Sequence, residues 1–132
     1  MSYDKRYLIW AFGYLILGMS LGIVMAASHD HGQRVTHAHI NLVGFLLSFG
    51  YGIIHKIWLR KPNLNIAKIQ LILHQVAALT MFSGLYFLYG NILPEALVGP
   101  ILGVASISVF IAALLMLYMV LKETALINSY DT

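Results

Sequence analysis

Residues Thr36–Leu59 read THAHINLVGFLLSFGYGIIHKIWL. At 1.5 Å of rise per residue, a helix over this stretch reaches about 36 Å, enough to cross a hydrocarbon core of about 30 Å. No Asp, Glu, Lys or Arg appears before Lys56, and no proline interrupts it. Steps of three and four from His37 pass through Asn41, Gly44, Ser48, Tyr51 and His55, so the polar residues share one face of helical period. In a bilayer such a face turns away from lipid, toward protein or a cofactor. The stretch therefore predicts a membrane-spanning helix packed within a bundle.

The surrounding chain repeats the pattern. Apolar segments of spanning length lie at about 7–27, 36–59, 66–89 and 97–121, separated by short connections rich in Gly, Pro and Asn: SHDHGQRV, RKPNLN and GNILPEA. Of the 132 residues, 60% are hydrophobic and 10% charged. Soluble domains carry about 25% charged residues and have little interior in which to hide so much apolar side chain. The expected fold is all-α: a four-transmembrane-helix antiparallel up-down bundle forming one integral membrane domain over residues 1–132. Lys5 and Arg6 before an apolar run ending in GIVMAASHD have some likeness to a secretion signal. The run is of spanning length and three more follow, so it is expected to be retained as the first helix.

Basic residues set the expected orientation. Lys5 and Arg6 precede the first span, Lys56, Arg60, Lys61 and Lys68 flank the second connection, and Lys122 follows the fourth span. Only Arg34 falls at the other end. Both termini are expected on the cytoplasmic side, with the histidine-rich first connection outside, in a bacterial or archaeal cytoplasmic membrane. The formal charge of +3 follows this topology and forms no basic stripe with spaced aromatics, which sets nucleic acid aside. The chain has no cysteine, excluding disulfides, thiolate metal sites and cysteine nucleophiles. Walker, nucleotide-binding glycine, HExxH and Ser–His–Asp patterns are absent from the sequence, so nucleotide-driven or hydrolytic chemistry is not expected.

Five of the six histidines lie between His29 and His55, and the sixth, His74, sits inside LILHQVAAL. His37 and His39, two positions apart, diverge by about 200° on a helix. The face of His39 continues through Val43, Leu46 and Gly50. Helix one gathers Tyr7, Ala11, Tyr14, Gly18, Gly22 and Met25 on one face, and helix three gathers Gln70, His74, Ala77, Met81 and Gly84. With helix two centred near Ser48 and helix three near Leu79, His55 falls about 10 Å and His74 about 7–8 Å toward the same side, within reach of a common level. His37, His39, His29 and His31 form a separate outer group.

Neutral imidazole is a ligand for iron, copper or zinc, and bis-histidine ligation suits an electron-transfer haem. Haem fits between helices lined by small, aromatic and Met side chains, with its propionates near Arg34 outside or near Lys56 and Lys68 inside. The candidate ligands are His39, His74, His37 and His55. The lack of Cys attachment fits non-covalent haem b. Zinc or copper held by the outer histidines is the alternative, with Asp30 the one carboxylate nearby. Each histidine also has a plain structural reading: solvated loop for His29 and His31, interfacial or headgroup contacts for His37 and His55, and a satisfied buried hydrogen bond for His74.

RVTHAHINLVGFLLSFGYG, Arg34–Gly52, is similar to the second membrane helix of the catalytic subunit of haem–copper oxidases and nitric oxide reductases, and the whole chain looks like a small four-span oxidase-subunit-I-like membrane protein. The resemblance rests on His39, Asn41 and Leu42 followed by Phe49 and Gly50, with Arg34 as the upstream basic residue. It implies that His39 is the axial ligand of a low-spin haem at the outer side. The chain departs from the family in having far fewer spans and no recoverable histidine cluster for a second haem and a copper or iron. The expected function is haem b binding in electron transfer or diatomic gas binding, with a homo-oligomer, a redox partner or a quinone as possible partners. The competing classes are a zinc or copper sensor or transporter, and a structural or assembly subunit of a respiratory complex.

Overall fold

The computed structural model describes residues 1–60 and 62–130, with side chains through Glu123. Lys61, counted above among the orienting basic residues, lies outside the described residues. The fold is an all-α four-helix bundle: α1 Tyr3–Ser28, α2 Arg34–Ile57, α3 Leu64–Tyr89 and α4 Glu95–Tyr130. Each helix is long and apolar enough to cross a membrane. The helices begin two to four residues earlier than the apolar runs (Tyr3, Arg34, Leu64 and Glu95 against 7, 36, 66 and 97), because polar first turns such as Tyr3–Arg6 belong to the helix without belonging to its apolar stretch. Large apolar side chains ring the outside, among them Ile9, Ile16, Ile23, Val104 and Phe110, as expected of a bundle solvated by lipid tails.

Local chemistry explains the ends. Ser28 is followed by His29 at φ 55°, a left-handed residue that closes α1. Asp30 then accepts from the Gly32 amide at 2.9 Å, turning the chain toward α2. Asn63 caps α3, its side-chain oxygen accepting from the amides of Asn65 and Ile66 at 3.0 and 3.2 Å. Cross-ties fix the up-down order. At one end Tyr3 donates its hydroxyl to the Leu64 carbonyl at 3.3 Å, and Glu123 accepts from the Arg60 amide at 3.2 Å. At the other end Gln33 donates to the Tyr86 carbonyl at 3.0 Å. The closest pairings are α3 with α4 and α1 with α2.

The second helix is not uniform. Ile40–Leu46 is a π segment between α-helical Arg34–His39 and Leu47–Ile57, and the Leu47 amide reaches back five residues to the Leu42 carbonyl. Asn41 supplies a cause. Its Nδ2 donates at 2.9 Å to the His37 carbonyl, the acceptor that an α-helix gives to the Asn41 backbone amide. A side chain inserted into the ladder widens the turn. The buried stripe consequently advances by whole steps of four, Thr36–Ile40–Gly44–Ser48, before returning to α spacing at Tyr51 and His55. The polar face expected from the sequence is thus buried from Gly44 onward and displaced by one residue above it. His37 and Asn41 are half-buried against α1, and Ile40 and Thr36 take the central positions.

Candidate functional site

Two groups of polar side chains stand out, separated by an apolar layer. At the His37 end, the α1–α2 crossing is close because α1 presents Gly18 and Gly22. A Cβ on Gly18 would lie 2.7 Å from the Asn41 amide group, and one on Gly22 would lie 2.9 Å from Cε1 of His37. Nδ1 of His37 is 2.8 Å from the Gly18 carbonyl. Nδ1 of His39 is 2.9 Å from the carbonyl of Val35, four residues back on its own helix. Carbonyl oxygens only accept, so both rings carry hydrogen on Nδ1, and in a neutral ring the lone pair is then on Nε2. The two rings differ in setting. His37 is wedged against the α1 glycines, whereas half-buried His39 lies between Val35 and Val43, which pack toward the α3 cluster of Ala78, Phe82 and Leu85. Arg34 is exposed at the start of α2. Gly50, expected on the His39 face, has open space where a Cβ would stand, so it serves no close helix packing.

The second group fills the half of the bundle near Tyr3 and His55. Tyr14 donates its hydroxyl to Gln75 Oε1 at 2.7 Å, Gln75 Nε2 donates to Ser48 Oγ at 3.2 Å, and Ser48 Oγ is 3.4 Å from His74 Nε2. The Tyr51 ring meets His74 edge-on at 5.1 Å and Tyr7 at 5.6 Å. His55 stacks between Tyr3 at 5.5 Å and Tyr7 at 5.6 Å. Tyr7 donates to Gln70, whose Nε2 donates to the Ala112 carbonyl at 3.3 Å and ties α1 through α3 to α4. His74 is fully buried and level with Ser48, so His55, seven residues further along α2, lies about 10 Å from that level along the helix. The shared level allowed for these two histidines is therefore not what α3 provides: His74 sits nearer the middle of the bundle.

The structure thus separates the sequence-derived candidates. His37, Asn41 and His39 stand together at one end, His74 stands at mid-bundle, and His55 stands at the other end. Among the described residues no three His, Cys, Asp or Glu side chains converge to hold a metal ion. Gln75 was not anticipated, because stepping along the Gln70–His74 face passes over it. The adjacent pair HQ inside an apolar run was the available signal, since two consecutive buried polar side chains need partners on two sides.

As a haem site the described residues fit selectively. His74 is fully buried, with Ser48 Oγ 3.4 Å from its Nε2 and Tyr51 edge-on to its ring, and His55 is stacked against Tyr3 and Tyr7. His39 differs from these two: its ring is oriented by the Val35 carbonyl through Nδ1, and it is half-buried and not sealed inside the bundle. Compared with protein-family models, curated proteins and solved structures, the chain matches none. The likeness to oxidase catalytic subunits accordingly rests on the residues of α2 alone.

Proposed function

We propose that the protein binds haem b through His39 at the end of the bundle bearing the first connection, and serves in electron transfer or diatomic gas binding. The observation that carries this reading is the His39 ring. A histidine ligand needs one nitrogen free and the other held by a hydrogen-bond acceptor. The 2.9 Å contact of Nδ1 with the Val35 carbonyl supplies that arrangement without any partner from another helix. The residues His39, Asn41, Leu42, Phe49 and Gly50 add the resemblance to the haem-bearing helix of the oxidases. Asn41 contributes through the π segment, which holds His37 toward α1 while His39 lies along the α2–α3 side. Bound haem would supply a one-electron redox centre, or an iron with an open position for a gas. Arg34, exposed at the start of α2 five residues before His39, is the cation at this end that would meet its propionates. The half-buried His39 ring leaves a face that a second copy of the chain would cover, and the placement of the basic residues favours both termini on the cytoplasmic side.

The test is spectroscopic. Protein expressed with haem supplementation and purified in detergent is expected to show a Soret band and a reduced-minus-oxidised difference spectrum. His39→Ala is expected to lose them, and His74→Ala to keep them. A spectrum that survives His39→Ala, or wild-type protein that takes up no haem, overturns the reading.

A further inference from the structure

The polar half of the bundle contains more than a stabilising network. Three buried polar atoms have no hydrogen-bond partner among the described residues: Tyr51 Oη, His55 Nε2 and His74 Nδ1. They are not scattered. Tyr51 touches His74, Tyr7 bridges Tyr51 to His55, and His55 reaches the end of the bundle, where a cavity of about 330 Å³ opens beside Ser2, Asp4, Leu59 and Pro62. An unpaired polar group in the interior costs about 1–3 kcal/mol, and three in one line make a strong demand for water. In the other direction His74 is followed by Ser48, Gln75 and Tyr14, which bond to one another. Past them lie buried Ile40, Ala78, Met81, Phe82 and Leu85.

We propose that this line is a hydrated half-channel for protons, open at the His55 end and terminating at His74. A hydronium ion in the mouth gives its proton to Nε2 of His55. The protonated His55 releases one ring proton inward and returns to neutral, and water and the Tyr51 hydroxyl, each giving one proton as it takes another, pass a proton on to Nδ1 of His74, whose Nε2 lies 3.4 Å from Ser48 Oγ. His74 then carries both ring protons and one positive charge only until the same route returns the proton to water, so no other reactant is consumed. The charged and titratable groups around the path are Asp4, Tyr3 and Tyr7 from α1 and Tyr51, His55 and Lys56 from α2. From α3, Gln70 and Gln75 face the path as neutral hydrogen-bonding groups. The apolar layer prevents through-conduction, so the device loads a mid-bundle site from one side only. None of the outer-end histidines takes part, and the inference does not depend on haem.

The experiment follows exchange between water and the ring N–H of His74 by saturation transfer, in full-length protein with 15N-labelled histidine in lipid nanodiscs. Wild type is expected to show water exchange at His74. Tyr51→Phe keeps the ring packing and removes the hydroxyl, and His55→Phe keeps the stack with Tyr3 and Tyr7 and removes Nε2. Each is expected to slow the exchange at least about tenfold, as loss of one buried hydrogen-bonding group from a relay implies. Gln33→Ala, at the opposite end, is expected to leave the rate unchanged. Absence of exchange in wild type, or unchanged exchange in Tyr51→Phe, overturns the proposal. If His55→Phe fails to fold, Tyr51→Phe alone decides.

Discussion

Ser48 Oγ lies 3.4 Å from Nε2 of His74, and the same oxygen accepts from Gln75 at 3.2 Å. One hydroxyl on α2 therefore partners two consecutive side chains of α3. Removing it strands more than one group. Ser48→Ala leaves His74 Nε2 without its partner and one Gln75 donor unmet, at a cost of about 1–3 kcal/mol for buried polar groups. Tyr14→Phe, by contrast, removes one donor from Gln75, and single hydrogen bonds between membrane helices average about 0.6 kcal/mol. Thermal unfolding in detergent is expected to rank Ser48→Ala clearly below Tyr14→Phe. Equal melting temperatures would show that the hydroxyl is not the junction.

The glycines of the bundle are not equivalent, and substitution separates them. Gly18 and Gly22 admit Asn41 and His37 at distances a Cβ cannot tolerate, whereas a Cβ on Gly103 meets nothing within 4 Å. Gly18→Ala and Gly22→Ala are expected to destabilise by about 1–3 kcal/mol through overpacking. Gly103→Ala is expected to be neutral or slightly stabilising, since Ala is the better helix former. Denaturation midpoints of the three variants check this. A destabilised Gly103→Ala would place an interface on the outer face of α4.

Much of the fold was legible because lipid imposes a simple rule: an apolar run of spanning length becomes a helix, and short connections make neighbours antiparallel. The faces of α1 and α3 followed from period alone. Tyr7, Ala11, Tyr14 and Gly18 are buried on α1, and Gln70, His74, Ala77, Met81 and Gly84 are buried on α3. The upper half of α2 was less legible, because period counting assumes a constant number of residues per turn. The π segment adds residues to the turn, so His37 and Asn41 gave up the central stripe to Thr36 and Ile40. The level of His74 was equally hidden. It depends on how α3 is set against α2, which Tyr51 and Ser48 reveal only once folded.

Asn41 provides a direct test of that turn. Asn41→Leu keeps the size of the side chain and removes the bond to the His37 carbonyl. The backbone amide of residue 41 then regains the acceptor, and the π segment Ile40–Leu46 is expected to relax to α-helix. Amide hydrogen exchange over these residues should slow, because α-helical bonds replace the wider pattern. The Gly18 contact of His37 should also be lost as the ring rotates out of phase. Unchanged exchange at Ile40–Leu46 would mean that packing against α1, and not Asn41, holds the π turn.

Orientation in the membrane can be decided on the same chain. Lys5, Arg6, Lys56, Arg60, Lys68 and Lys122 lie at the end shared by the start of α1, the connection after α2 and the later part of α4. Among the described Lys and Arg residues, Arg34 alone lies at the other end. Positive charge in short connections is retained on the cytoplasmic side, which predicts His29–Gln33 outside. The sequence contains no cysteine, so single introduced thiols report without background. Gly32→Cys is expected to react with an impermeant maleimide on intact cells, because its position lies in the exposed first connection. Asn65→Cys, exposed in the first turn of α3, is expected to react only after permeabilisation. The reverse pattern would invert the bundle. It would leave the proposed proton mouth at Asp4 and His55 facing the exterior, and the sidedness of proton access to His74 would change with it.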